Sequence, residues 1–105
     1  MEIVWTDKAK EKLKENLEFW DIHNGTPSFS DKILLEVQKL MFELFNNPIF
    51  LGRYNKDLNL YVRSIVKGRY LVYFQLKNED NREFIEIQYF LSSKQRQPFY
   101  VNLSY

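Results

Sequence analysis

Apolar residues recur at every third or fourth position through two segments of the first half of the chain. This spacing predicts two amphipathic helices, each with one face turned toward a core. The core-facing positions of the first helix, which begins after Thr6 or Asp7, are Ala9, Leu13, Leu17 and Trp20. The broader apolar stripe of the second helix comprises Ile33, Leu34, Val37, Leu40, Met41, Leu44 and Phe45.

The second half of the chain changes to the alternating pattern that is typical of β-strands. Asn47 and Pro48 end the second helix, because a residue that precedes proline is pushed out of the α region. Strands are predicted over 2–5, roughly 58–66 and 70–77, and from Phe84 onward. A tight turn at Gly68 and a loop over 78–82 connect the last three strands.

The strand pattern also predicts which side chains face the helices. The inward set comprises Tyr70, Val72, Phe74 and Leu76, followed by Ile85, Ile87, Tyr89 and Leu91. The order is β-α-α-β-β-β, which is an α+β fold with a helical hairpin packed on a twisted antiparallel sheet. With 105 residues and 45% hydrophobic content, the whole chain, 1–105, is predicted to be a single domain.

Composition excludes several kinds of chemistry. There is no cysteine, and His23 is the single histidine, so we expect no disulfide, no metal site and no cofactor. No apolar run approaches the ~18 residues of a membrane span, and the N-terminal sequence lacks the apolar segment of a signal peptide. We therefore expect a cytoplasmic protein that makes no contact with a membrane.

Net charge and aromatic content indicate how the protein can contact its partners. The net charge is +1, from 15 basic and 14 acidic residues, so any contact with nucleic acid must be local. Aromatic residues make up 17% of the chain, more than a small core needs. Some of these rings are therefore predicted to lie at a surface, as they commonly do at interfaces with partners.

A basic and aromatic set on the predicted sheet and in the tail suggests a function. RNA can be cleaved without a metal when a ribose 2′-hydroxyl attacks the neighbouring phosphate, cations stabilise the charge and a titratable group moves protons. The candidate catalytic residues are Arg63, Arg96 and Tyr100, and the candidate RNA-binding residues are Lys67, Arg69 and Lys94. The alternative is that these charges only keep the end of a sheet soluble.

Three stretches together resemble the RelE/ParE superfamily of bacterial toxins. They are WTDKAKEKLKENLEFW at 5–20, YVRSIVKGRYLVY at 61–73 and FIEIQYFLSSKQRQPFY at 84–100, with the Asn47-Pro48 boundary between the first two. The resemblance covers nearly the whole chain. It implies the same order of elements and a cytoplasmic toxin that arrests growth and whose active face is masked by a cognate antitoxin.

Within the superfamily the resemblance leaves two mechanisms open. The RelE branch cleaves mRNA on the ribosome, and there Arg63, Lys94 or Arg96, and Tyr100 fall at its basic and aromatic positions. Its cleaving members carry an arginine directly after the hairpin aromatic, a position that Tyr70 fills here unless the arginine is displaced to Arg69. The ParE branch inhibits DNA gyrase without nuclease residues. Inhibition of translation by mRNA cleavage is the leading prediction, because Arg63, Arg96 and Tyr100 occur together.

Overall fold

The structure is a computed structural model that describes residues 1–47 and 52–93. A helical hairpin packs on one face of a five-stranded sheet whose strand order is β1-β5-β4-β3-β2. The elements are β1 (Glu2–Trp5), α1 (Asp7–Asn24), α2 (Ser28–Asn46), β2 (Arg53–Asn55), β3 (Leu60–Ile65), β4 (Tyr70–Glu79) and β5 (Arg82–Ser92). Neither helix in this part of the chain is long and apolar enough to cross a membrane.

The predicted α+β fold is confirmed, with two differences in the sheet. The sheet is mixed and not purely antiparallel, because β1 pairs in parallel with β5. Since β1 is separated from β5 by most of the chain, no tight turn forces the two strands into opposite directions. The second difference is β2, which the sequence did not predict because three residues are too few to show alternation.

Both ends of α1 have the groups that helix termini require. The Thr6 hydroxyl accepts a hydrogen bond from the Ala9 N–H at 3.2 Å, which satisfies one of the free donors of the first turn. Gly25 ends the helix in the left-handed conformation, at a φ of 68°, and its N–H donates to the Asp21 carbonyl at 3.0 Å. Local signals therefore set the limits of this helix.

The main core lies between the helices and the sheet. Its fully buried residues include Ile33 and Leu44 of α2 together with Val72, Phe74, Ile85, Ile87 and Phe90 of the sheet. A second, smaller cluster on the opposite face of the sheet is built around Leu60, Val62, Tyr73 and Leu91. The sheet therefore buries side chains on both faces, although helices cover only one.

A β-bulge corrects the predicted inward set of β5. Tyr73 pairs with Tyr89 and Phe74 pairs with Ile87, so Gln88 is the extra residue. Because one added residue reverses the alternation, Phe90 takes the place facing the helices. The predicted inward positions of Tyr89 and Leu91 are wrong: both belong to the cluster on the opposite face. Leu76 lies on the predicted face of the sheet, because it pairs with the core residue Ile85, but its side chain is exposed.

Both hairpin turns are tighter than an average loop. Between β4 and β5 the predicted five-residue loop shrinks to Asp80 and Asn81, both with positive φ, which is the signature of a type I′ turn. Between β3 and β4 the Arg69 N–H donates to the Val66 carbonyl at 3.1 Å around Lys67 and Gly68, as the tight turn at Gly68 predicted. This second turn positions two of the candidate RNA-binding residues.

Candidate nucleic-acid interface

A cleft of about 490 Å³ opens where the β3–β4 turn, the end of β5 and the C-terminal half of α1 meet. We call it the turn cleft. Its lining comprises Asn16, Phe19 and Trp20 from α1, residues 67–70 from the turn and the start of β4, and Ser92 and Ser93. The cleft therefore combines cationic side chains with aromatic rings, which is the combination that binds unpaired nucleic acid.

The turn itself has an unusual backbone. Val66, Lys67 and Gly68 all have positive φ, at 52°, 55° and 81°. Glycine adopts this region freely, but a non-glycine residue held there costs ~1–3 kcal/mol, and a β-branched valine is the rarest case. The Val66 N–H donates to the carboxylate of Glu36 on α2 at 3.0 Å, and the Val66 side chain is buried in the main core. Contacts from α2 and the core therefore hold the turn in place.

Two cations extend from this turn. Lys67 and Arg69 are both exposed and both line the turn cleft. The Arg69 guanidinium carbon lies 5.1 Å from the centre of the Phe29 ring, and its charge is attracted to the face of that ring. The Arg69 carbonyl accepts a hydrogen bond from the Ser93 N–H at 2.9 Å, which fixes the end of β5 beside the turn.

Tyr70 has a structural position. Its side chain is 2% exposed, and its hydroxyl accepts a hydrogen bond from the indole Nε1–H of Trp20 at 2.6 Å. A buried hydroxyl that is already hydrogen-bonded is poorly placed to hold a phosphate. Of the two residues that the sequence left open for the arginine position of cleaving toxins, Arg69 is therefore the one that lines the cleft with its charge.

Arg63 does not line the turn cleft. It lies on β3 opposite Val72, and its Nη2 donates to the Glu43 carboxylate of α2 at 2.6 Å. It also lines a separate depression with Arg53 and Leu71, among others. The structure therefore brings Lys67 and Arg69 together and places Arg63 at a different site.

Three predicted site residues, Lys94, Arg96 and Tyr100, lie outside the residues that the structure describes. In the sequence, Lys94 directly follows Ser93, which lines the turn cleft. The roles assigned to these three residues therefore stay predictions.

Sequence reasoning did not select the residues that α1 contributes. Trp20 was predicted to face the core, and no position was predicted for Phe19. The available signal was the pair of adjacent aromatic residues near the end of the helix, because neighbouring helical residues point about 100° apart and both rings cannot face the core equally. In the structure Phe19 is 55% exposed, and the His23 ring stacks on it at 5.4 Å between centres. The outward ring therefore forms part of the cleft wall.

The arrangement favours binding over proton transfer in the described part of the cleft. Two cations can hold phosphate groups, and the exposed ring of Phe19 can stack on a base. Among the described lining residues none is a histidine, aspartate or glutamate. A histidine or carboxylate that moved protons in a cleavage reaction there would have to come from outside the lining of the described cleft.

Comparison with known proteins connects this fold to toxins. A chain from the chromosomal ParDE TA (toxin–antitoxin) system of P. aeruginosa matches with a TM-score of 0.70 and 17% identity, over 88% of this chain and 95% of that one. The YoeB/ParE toxin from Agrobacterium tumefaciens matches with a TM-score of 0.59 and 13% identity, over 88% and 98%. No protein-family model and no curated protein matches the sequence. The chain therefore has the fold of the RelE/ParE toxins, as the resemblance of its sequence implied.

Proposed function

We propose that this chain is the toxin of a type II toxin–antitoxin pair and that it arrests growth by cleaving mRNA on the ribosome. The observation that carries the proposal is the turn cleft, in which Lys67 and Arg69 lie beside the rings contributed by α1. Cations and exposed rings at one site are what an unpaired RNA strand requires: phosphate contacts hold it, and stacking holds its bases.

In this account Lys67 and Arg69 bind the RNA backbone, and Phe19 stacks on a base. The tail supplies the chemistry: Arg96 stabilises the charge that develops on the phosphate, and Tyr100 stacks or moves a proton. Support comes from the course of the chain, because Ser92 and Ser93 line the cleft and Lys94 follows them directly in sequence.

A cognate antitoxin is the proposed partner. Exposed apolar side chains on the outer side of α2 support this, among them Leu35, Phe42 and Phe45. Phe42 is 71% exposed, which is a large apolar area to leave in water in a domain this small. A partner segment that covers these residues would explain why they are apolar.

A second candidate function is inhibition of DNA gyrase or another protein without cleavage. The ion pair between Arg63 and Glu43 favours it, because a guanidinium held by a carboxylate at 2.6 Å contributes less charge to an RNA phosphate. In that case the cations and rings of the turn cleft contact a protein surface, for which aromatic and arginine side chains are equally suited.

Induced expression in a bacterium tests the proposal. Induction of this chain alone is expected to stop growth, and co-expression of the neighbouring gene is expected to restore it. Incorporation of a labelled amino acid should fall before DNA supercoiling changes. Loss of supercoiling with translation intact would favour the gyrase candidate. Normal growth at high levels of folded protein would contradict both.

A further inference from the structure

The two glutamates of α2 at positions 36 and 43 are seven residues apart, so they lie on the same side of the helix, two turns from each other. Both reach the sheet, but they hold different groups. Glu43 pairs with the Arg63 side chain on β3, whereas Glu36 accepts a hydrogen bond from the backbone N–H of Val66 in the turn that follows. Of these two glutamates, Glu36 is the one that binds the backbone of the β3–β4 turn, which lines the turn cleft.

The bond to Val66 acts where the backbone conformation is least favourable. Val66 is the β-branched residue among three consecutive positions with positive φ, and Lys67 follows it directly. Its N–H lies at the start of the turn, and the Val66 carbonyl accepts the hydrogen bond that the Arg69 N–H donates across the turn. A charged carboxylate is a stronger acceptor than water or a neutral amide, so it favours the conformation that points this N–H toward α2.

The geometry points to Glu36 as the positioning residue of the turn cleft. By holding the Val66 N–H, its carboxylate fixes the left-handed conformation from which Lys67 and Arg69 extend, and so sets the spacing of two cations along a bound RNA backbone. That RNA is the ligand rests on the proposed function. The effect of Glu36 on the conformation of the turn does not, because it is argued from the hydrogen bond to the Val66 N–H. Glu36 itself touches no RNA in this account.

Two substitutions separate the hydrogen bond from the charge. Glu36→Ala removes the acceptor, and it is tolerated in a helix because alanine has the highest helix propensity. Glu36→Gln keeps an acceptor oxygen but removes the charge. Glu43→Ala is the matched control, since it removes the same charge from the same side of α2 without touching the backbone of the turn.

The first readout is amide hydrogen exchange and amide chemical shifts by NMR. In Glu36→Ala the Val66 amide is expected to exchange at least about tenfold faster, with shifts at Lys67 and Gly68, while Glu36→Gln recovers most of the protection. Glu43→Ala should leave the Val66 amide unchanged. A Val66 amide as protected in Glu36→Ala as in the parent would overturn the inference.

The second readout is the affinity for a short fluorescein-labelled single-stranded RNA, measured by anisotropy. Glu36→Ala is expected to weaken binding about tenfold, and Glu36→Gln by less than about threefold. A faster Val66 amide with unchanged RNA affinity would also overturn the positioning role. A parent protein that binds no RNA contradicts the proposed function, and the amide measurement then decides by itself whether Glu36 fixes the turn.

Discussion

Nη2 of Arg63 on β3 lies 2.6 Å from Oε2 of Glu43 on α2. Arg63 is the candidate catalytic residue that lies within the described part of the chain, and it therefore forms an ion pair between the sheet and a helix. Its side chain is 28% exposed and that of Glu43 is 54% exposed. Solvent screens such a pair, and pairs of this kind contribute ~0–1 kcal/mol to stability. The pair therefore contributes little to stability.

Substitution of Arg63 tests its role. Arg63→Ala is expected to lower the free energy of unfolding by no more than about 1 kcal/mol. It should weaken RNA binding less than Arg69→Ala does, because Arg63 lies outside the turn cleft. Urea unfolding and RNA anisotropy on both variants give the comparison. A loss of affinity in Arg63→Ala that equals or exceeds the loss in Arg69→Ala would place the RNA at the other depression.

Stability is expected to depend strongly on Leu40. This residue is 2% exposed in the core between α2 and the sheet, so Leu40→Ala should cost ~2–5 kcal/mol through lost burial and a residual cavity. Leu35→Ala on the same helix is the control, since Leu35 is exposed and its truncation should cost less than about 0.5 kcal/mol. Equal urea midpoints for the two variants would contradict the packing described.

The hydrogen bond between Trp20 and Tyr70 should be measurable. Tyr70→Phe removes the acceptor and leaves the indole N–H of Trp20 without its partner in a part-buried position. The expected cost is ~1–3 kcal/mol, with a change in tryptophan fluorescence. Tyr54→Phe, which removes an exposed hydroxyl bonded to Asn59, should change stability far less. A Tyr70→Phe variant as stable as the parent would mean that water replaces the bond.

Alkaline pH is expected to destabilise the fold through Tyr73. Burial raises the pKa of the Tyr73 hydroxyl, and the positive charge of Arg53 opposes this shift. The unfolded chain therefore loses this proton first, so the contribution of Tyr73 to stability is complete below about pH 10 and declines as pH rises toward its folded pKa. Thermal unfolding between pH 9 and 11 should show a shallower decline for Tyr73→Phe; an identical decline would contradict this assignment.

The sequence predicted the parts of the fold that depend on local pattern. The helices, the turn at Gly68 and the inward set of Tyr70, Val72 and Phe74 follow from periodicity and backbone preference. The bulge at Gln88 does not, because it arises from the pairing of two strands, and alternation alone then misplaces Tyr89.

The candidate site was predictable only in part, for a similar reason. The charges of Lys67 and Arg69 in a tight turn are visible in the sequence. The pairing of Arg63 with Glu43, and of Glu36 with the Val66 N–H, depends on how α2 lies across the sheet. No spacing along the chain encodes contacts between residues 20 and 30 positions apart.

The most direct test of the account is primer extension on cellular messages after induction of this chain, alongside two paired variants. We expect new mRNA ends with the parent and at least about 100-fold fewer with Lys67→Ala/Arg69→Ala, because the cleft then lacks both phosphate contacts. Lys10→Ala/Lys14→Ala, which removes the same charge from α1 outside the turn cleft, should cut like the parent. Growth arrest by the parent with every message intact would contradict the central claim that this chain acts on RNA.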